Sequence, residues 1–148
     1  MSTRIKLRHI RALDLELVEK GIRVWVNRLT VQVCFRTKDG WTQPYEAIVD
    51  TGAPVSIIPP PISEEIDKNV LGDHAISGIV PHEEAVLPVK VADVWCAILD
   101  EKRMGKSLKI RAYLATDQRV PLILGFENLL SEAILHCDCK RNEMFIEM

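Results

Sequence analysis

Residues 45–59 read YEAIVDTGAPVSIIP: an apolar run, then Asp50-Thr51-Gly52, then a second apolar run. A lone ionised carboxylate between two segments that both favour burial is costly unless it is hydrogen-bonded or partnered. The plain alternative is a β-turn joining two core strands, because Asp bonds its own backbone and Gly accepts positive φ. A solvent-facing turn calls for polar flanks, yet Ala47-Ile48-Val49 precedes the acid and Val55, Ile57 and Ile58 follow it. The tripeptide is therefore expected at the floor of a site rather than at a free tip. Further on, Pro121–Gly125 (PLILG) supplies a short apolar strand able to pass under the Asp loop. Gly125 would permit close backbone approach there.

Working outward, alternation with period two dominates the chain. Ile22, Val24 and Val26 alternate with Arg23, Trp25 and Asn27; after Arg28-Leu29, Val31, Val33 and Phe35 alternate with Gln32, Cys34 and Arg36. The Asp-Gly within Thr37–Gly40 is a hairpin signal, so a returning strand Trp41–Val49 delivers Asp50 at its end. Further strands are expected at Ala85–Val91, Val94–Leu99, Leu108–Ala115 and Val120–Leu124. A last pair, Ala133–Cys137 and Met144–Glu147, would turn near Lys140-Arg141-Asn142. Helix signals are few. Ser63 is placed to N-cap a brief helix through Lys68 after the Pro59-Pro60-Pro61 break, and a second helix is expected at Phe126–Ser131. Residues 12–20 (ALDLELVEK) fit helix or strand, the alternation of Leu13, Leu15 and Leu17 favouring strand. The expected fold class is all-β, with one or two short helices. Residues 1–21 read as an N-terminal arm or first strand, and 22–148 as the main domain.

Composition narrows the function classes. The 148 residues suit one domain, and 47% hydrophobic with 27% charged content describes a packed domain rather than a disordered tail. A formal charge of −2 offers no general attraction to nucleic acid. Arg4, Lys6, Arg8 and Arg11 cluster without interleaved aromatics, which reads as a solvated N-terminal arm. No apolar run approaches the ~20 residues that span a bilayer, and MSTRIKLRHI lacks the apolar core of a secretory leader. Cys34, Cys96, Cys137 and Cys139 are too scattered for a disulfide framework. A reduced, cytoplasmic protein with neither membrane nor nucleic-acid partners is the expectation.

The order of these parts resembles the retropepsin-like aspartic proteases, single-domain relatives of pepsin. The resemblance rests on the paired N-terminal strands, the apolar-apolar-Asp-Thr-Gly-Ala stretch Ile48–Ala53, and the apolar strand after it. A Gly-containing flap hairpin and Ile123-Leu124-Gly125 before a short helix complete it. It covers about residues 22–148, and VDTGAPVSIIP looks most like the small prokaryotic members. It implies a closed acid-protease barrel, a catalytic Asp50, and an active-site loop shaped by Thr51 and Gly52. It further implies a homodimeric endopeptidase acting on a peptide or protein substrate, with no metal and no cofactor.

The chemistry of such a site has its own logic. Amide hydrolysis needs a base to activate water and an acid to protonate the carbonyl oxygen. Two carboxylates ~3 Å apart share one proton because both cannot ionise, and so supply both roles. This chain carries a single Asp-[Ser/Thr]-Gly, so an isologous dimer would place Asp50 opposite its own copy. Thr51 would bond the partner's loop, and the Gly52 N–H, unobstructed by a Cβ, would approach a carboxylate oxygen. Ala53 and Pro54 would line the groove. In His74–Ala85 (HAISGIVPHEEA), Ser77-Gly78 would bend and Ile79 close over an extended substrate; an ordinary surface loop is the alternative. Pro54 stands where the family often has Ser or Thr, removing a hydroxyl and a backbone donor. A non-catalytic peptide-binding or structural dimer that keeps the fold is the rival to a peptidase.

Other constellations carry less. His136-Cys137-x-Cys139 lacks the second pair of ligands that structural zinc requires, and alternation along the expected strand would turn one of the two thiols toward the core. Ser56 lies on an apolar strand without triad context and reads as packed or loop-bonding.

Overall fold

The computed structural model describes residues 2–77 and 86–148. Gly78 and Ile79, with the rest of the expected flap tip, lie outside the described residues. The chain is mostly β. It opens with β1 (Arg4–Lys6), β2 (Arg8–Leu13), a short helix α1 (Leu15–Glu19) and the long strand β3 (Trp25–Phe35). β4 (Tyr45–Val49) and β5 (Ser56–Ile58) bracket the Asp50 loop, and α2 (Pro60–Ser63) follows. Then come β6 (Asn69–Ser77), β7 (Val86–Leu99), β8 (Leu108–Ala115) and β9 (Ile123–Leu124). A 3-10 turn at Leu130–Glu132 leads into the terminal hairpin of β10 (Ile134–Asp138) and β11 (Glu143–Glu147).

Pairing produces two sheets. The smaller runs β1-β11-β10, and the larger runs β2-β3-β4-β9-β5-β8-β7-β6. β3 also pairs with β7, from Gln32 opposite Leu99 to Phe35 opposite Cys96. The pairings therefore follow a circuit from β3 through β4, β9, β5, β8 and β7 back to β3. Side chains from these strands and from β1 and β11 share one apolar cluster, in which Phe35, Ile58, Ile98, Ile110, Leu124 and Ile146 are all fully buried. Each large aliphatic side chain so buried contributes about 1.5–3 kcal/mol.

The expected hairpin at Thr37–Gly40 is present, closed by the Thr37 N–H donating to Gly40 O at 2.8 Å. Its returning arm is shorter than expected. Only a single bridge, Arg36 to Trp41, precedes β4, and Pro44 stands between the two without an N–H to donate. Ala85–Val91 and Val94–Leu99 were expected as separate strands. From Val86 they run as one, because Ala92 and Asp93 continue the ladder to β8.

Four expectations are corrected. The helix expected at Phe126–Ser131 is instead a run of turn that ends in the 3-10 turn at Leu130–Glu132. Residues 12–20 divide between the end of β2 and α1: the Asp14 carboxylate accepts from the N–H groups of Glu16 and Leu17, capping a helix that alternation alone had favoured as strand. The helix expected from Ser63 to Lys68 instead spans Pro60–Ser63, with Pro59 at its N-cap. Proline suits the first turn, where its fixed φ is helical and no N–H partner is needed. Finally, Arg4, Lys6, Arg8 and Arg11 are exposed as expected for a solvated arm, but Ile5 and Leu7 between them are fully buried. The segment is strand with one wet face. Among the described residues no helix is long and apolar enough to cross a membrane.

Candidate active site

Asp50 leaves the end of β4 half-buried, on a loop that β9 holds from below. β9 runs parallel to β4, with Ile48 opposite Ile123 and Val49 opposite Leu124, and antiparallel to β5 at Ile57. It thus lies between the two arms of the Asp loop. The Ile48 N–H donates to Leu122 O at 2.9 Å and the Asp50 N–H to Leu124 O at 3.0 Å. Beyond β9, the Phe126 N–H donates to Ala53 O and the Glu127 N–H to Pro54 O, both at 3.0 Å. The loop is pinned on both sides of the acid.

Two residues make this crossing fit. A Cβ added to Gly125 would lie 2.5 Å from Ala53 O and 2.9 Å from Val55 C and O, closer than real atoms approach. Only glycine can occupy the position without moving backbone. The Gly125 N–H donates to Ser56 Oγ at 2.9 Å, and Ser56 is fully buried. Of the two roles open to Ser56, loop-bonding is the one it performs. Its apolar surroundings in the sequence concealed how central that bond is.

The carboxylate itself is lightly held. Its Oδ1 accepts the Gly52 N–H at 2.8 Å, and the Asp50 carbonyl accepts the Ala53 N–H at 3.1 Å. A Cβ on Gly52 would fall 3.1 Å from Oδ1, tight enough to crowd the oxygen. Thr51 is exposed, and its hydroxyl has no partner among the described residues. Ala53 is buried and Pro54 exposed. Pro54 has no N–H, so it adds nothing to the acid beyond the bond from Gly52. Ser77 ends β6, exposed, opposite Val86 at the start of β7. The paired strands β6 and β7 thus lead up to the expected bend.

One half-exposed carboxylate on a rigid loop can act as a base toward water. Protonating a carbonyl at the same moment requires a second acid, and this chain has one such loop.

No protein-family model matches the chain, and no curated protein matches it. The geometry therefore carries the functional reading.

Rival sites are weaker. A cleft of about 250 Å³ is lined by Asp93, Lys109, Arg111, Glu127 and Asn128. Two of its charges pair with each other: Arg111 bonds Asp93 at 3.0 Å, and that bond is the main reason the Asp93 carboxyl sits below its usual range. Among the described residues no three or more His, Cys, Asp or Glu side chains converge as a metal would require. The expectation that one of Cys137 and Cys139 faces the core is corrected, since both are exposed. Cys137 is exposed on β10, and Cys139 lies in the turn just past that strand.

Proposed function

We propose that the protein is an aspartic endopeptidase of the retropepsin-like kind, a homodimer of closed barrels with Asp50 and its symmetry mate at the two-fold axis. The observation that carries this is the pinned loop. A carboxylate set between two core strands, backed by a third and locked by Gly125, is costly to build for a turn alone. The circuit of strand pairings supports the barrel.

In the dimer, one Asp50 would be ionised and the other protonated, since like charges this close cannot both ionise. The ionised carboxylate takes a proton from water as its oxygen attacks the scissile carbonyl carbon. The protonated carboxyl gives its proton to the carbonyl oxygen. In the collapse that follows, one hydroxyl of the tetrahedral species returns its proton to the carboxylate that had given one up, the C–N bond breaks, and the amine leaves with the proton the other carboxyl had taken from water. The Gly52 N–H holds the carboxylate oxygen it bonds in place. Thr51, exposed beside it, would bond the partner's loop and hold the carboxylates coplanar. Ala53, Pro54 and the hairpin containing Ser77, Gly78 and Ile79 would hold an extended peptide.

Cleavage of a peptide library between pH 4 and 7 tests the proposal. Asp50→Asn should lower turnover at least ~1000-fold, within the range attributed to a positioned acid–base group, while leaving the thermal melt intact. Equal turnover by the variant would sink the reading. Pro54 favours a second reading, in which the dimer binds peptides without hydrolysing them. Peptide binding without cleavage by the native chain would select it.

A further inference from the structure

We infer that Cys137 and Cys139 form a reversible dithiol–disulfide site at the tip of the β10–β11 hairpin. Their sulfurs lie 3.5 Å apart, and both residues are exposed. A disulfide needs about 2.05 Å, a gap that small rotations of two exposed side chains would close. The backbone holds the pair in place. Asp138 lies between them and accepts the Arg141 N–H at 3.0 Å, while the Asn142 N–H donates to Cys139 O at 3.3 Å with Asn142 at φ 58°. The other two thiols are of a different kind. Cys34 and Cys96 are buried in the core, and burial pushes the Cys96 thiol up to about 12.

The co-reactant is a low-molecular-weight disulfide such as oxidised glutathione. A thiolate of one cysteine attacks a sulfur of that disulfide, whose S–S bond breaks and releases one small thiolate. The second cysteine, as thiolate, attacks the mixed disulfide and expels the other small thiolate. The Cys137–Cys139 bond forms, the two cysteines lose two protons and two electrons, and the oxidant becomes two thiols. The ring so closed spans a single intervening residue. It is strained and exposed, and disulfides of that sort are the readily reduced ones.

The test uses the native full chain in mixtures of oxidised and reduced glutathione, followed by acid quench, alkylation and peptide mass mapping. The peptide containing residues 137–139 should lose two hydrogens, and excess reduced glutathione should restore them. Cys34 and Cys96 should stay reduced throughout. In Cys137→Ser and in Cys139→Ser the remaining thiol should trap glutathione as a mixed disulfide, at roughly tenfold higher occupancy than in the native chain, where the neighbouring thiol resolves it. Thermal melts of both variants report that the fold is kept. A native chain that stays a dithiol, accumulates the mixed adduct like the variants, or cross-links between chains overturns the inference.

Discussion

At the scale of single residues, the candidate site depends on atoms outside the Asp-Thr-Gly signature. Asp50, Thr51 and Gly52 were legible because a carboxylate between apolar runs is physically anomalous, and Gly125 because it ended a short apolar strand. Ser56 was not legible as a keystone. A buried hydroxyl donating or accepting across 69 residues of sequence leaves no local trace. Two substitutions separate the roles. Gly125→Ala would press a methyl group onto backbone atoms that cannot rotate away, so it should cost about 3 kcal/mol, the upper end for overpacking. For a domain of this length that is a fall of roughly 6–12 °C in Tm, read by calorimetry. Ser56→Ala removes only the acceptor and strands the buried Gly125 N–H, costing about 1–3 kcal/mol. The ordering is the check: an alanine at 125 that melts like the native chain would mean the crossing is looser than its contacts indicate.

At the scale of elements, a sustained alternating pattern made a strand legible and its lack hid one. β8 falls on Leu108–Ala115 as alternation predicts, because Ile110, Ala112 and Leu114 are buried along one face. β6 escaped notice because its residues are exposed almost throughout, so NVLGDHAIS carries no period-two signal. Its pairing with β7 rests on the backbone ladder, with the Lys90 Nζ–Asp73 Oδ1 bond at 2.9 Å and the half-buried Ile76 beside the cluster that holds Leu87 as its side-chain links. β1 is held by a device equally invisible to periodicity. Asp100, just after β7, accepts the Lys6 N–H at 2.8 Å through Oδ2, and the N–H groups of Lys102 and Arg103 at 2.8 and 2.7 Å through Oδ1. Partial burial works against its ionisation, but these three donors outweigh it, and the carboxyl lies below its ordinary 3.8. A lowered carboxyl stabilises the fold above the unfolded value, and that contribution disappears as pH falls through the folded one. Asp100→Asn should therefore cost about 1 kcal/mol at pH 7, modest because the group is partly solvated. Melts of the two proteins should converge as pH drops below about 4. A gap that persists unchanged at pH 2 would assign the effect to packing instead.

At the scale of the whole molecule, the proposed mechanism requires the single acid of one chain to be matched by a second from another. The all-β class and most of the strands after residue 22, β6 excepted, could be anticipated from alternation and turn chemistry. The circuit of pairings could not, since β3 meets β7 across some sixty residues and no local pattern encodes that contact. Still less could a subunit contact be read from one chain's residues. The proposed dimer nevertheless makes a quantitative demand. If the site needs Asp50 from both subunits, a hydrolytically dead Asp50→Asn chain should poison the native one by pairing with it. Equal amounts of the two, unfolded together and refolded, would place two intact acids in only about a quarter of the dimers. Activity per native chain should then fall to about half, whereas a self-sufficient monomer would lose nothing. Dilution supplies the second arm: specific activity should decline as the native dimer dissociates, and a constant value down to concentrations where sedimentation shows single chains would defeat the shared-site reading. Both arms use the peptide assay already needed for Asp50→Asn, and neither depends on knowing the natural substrate.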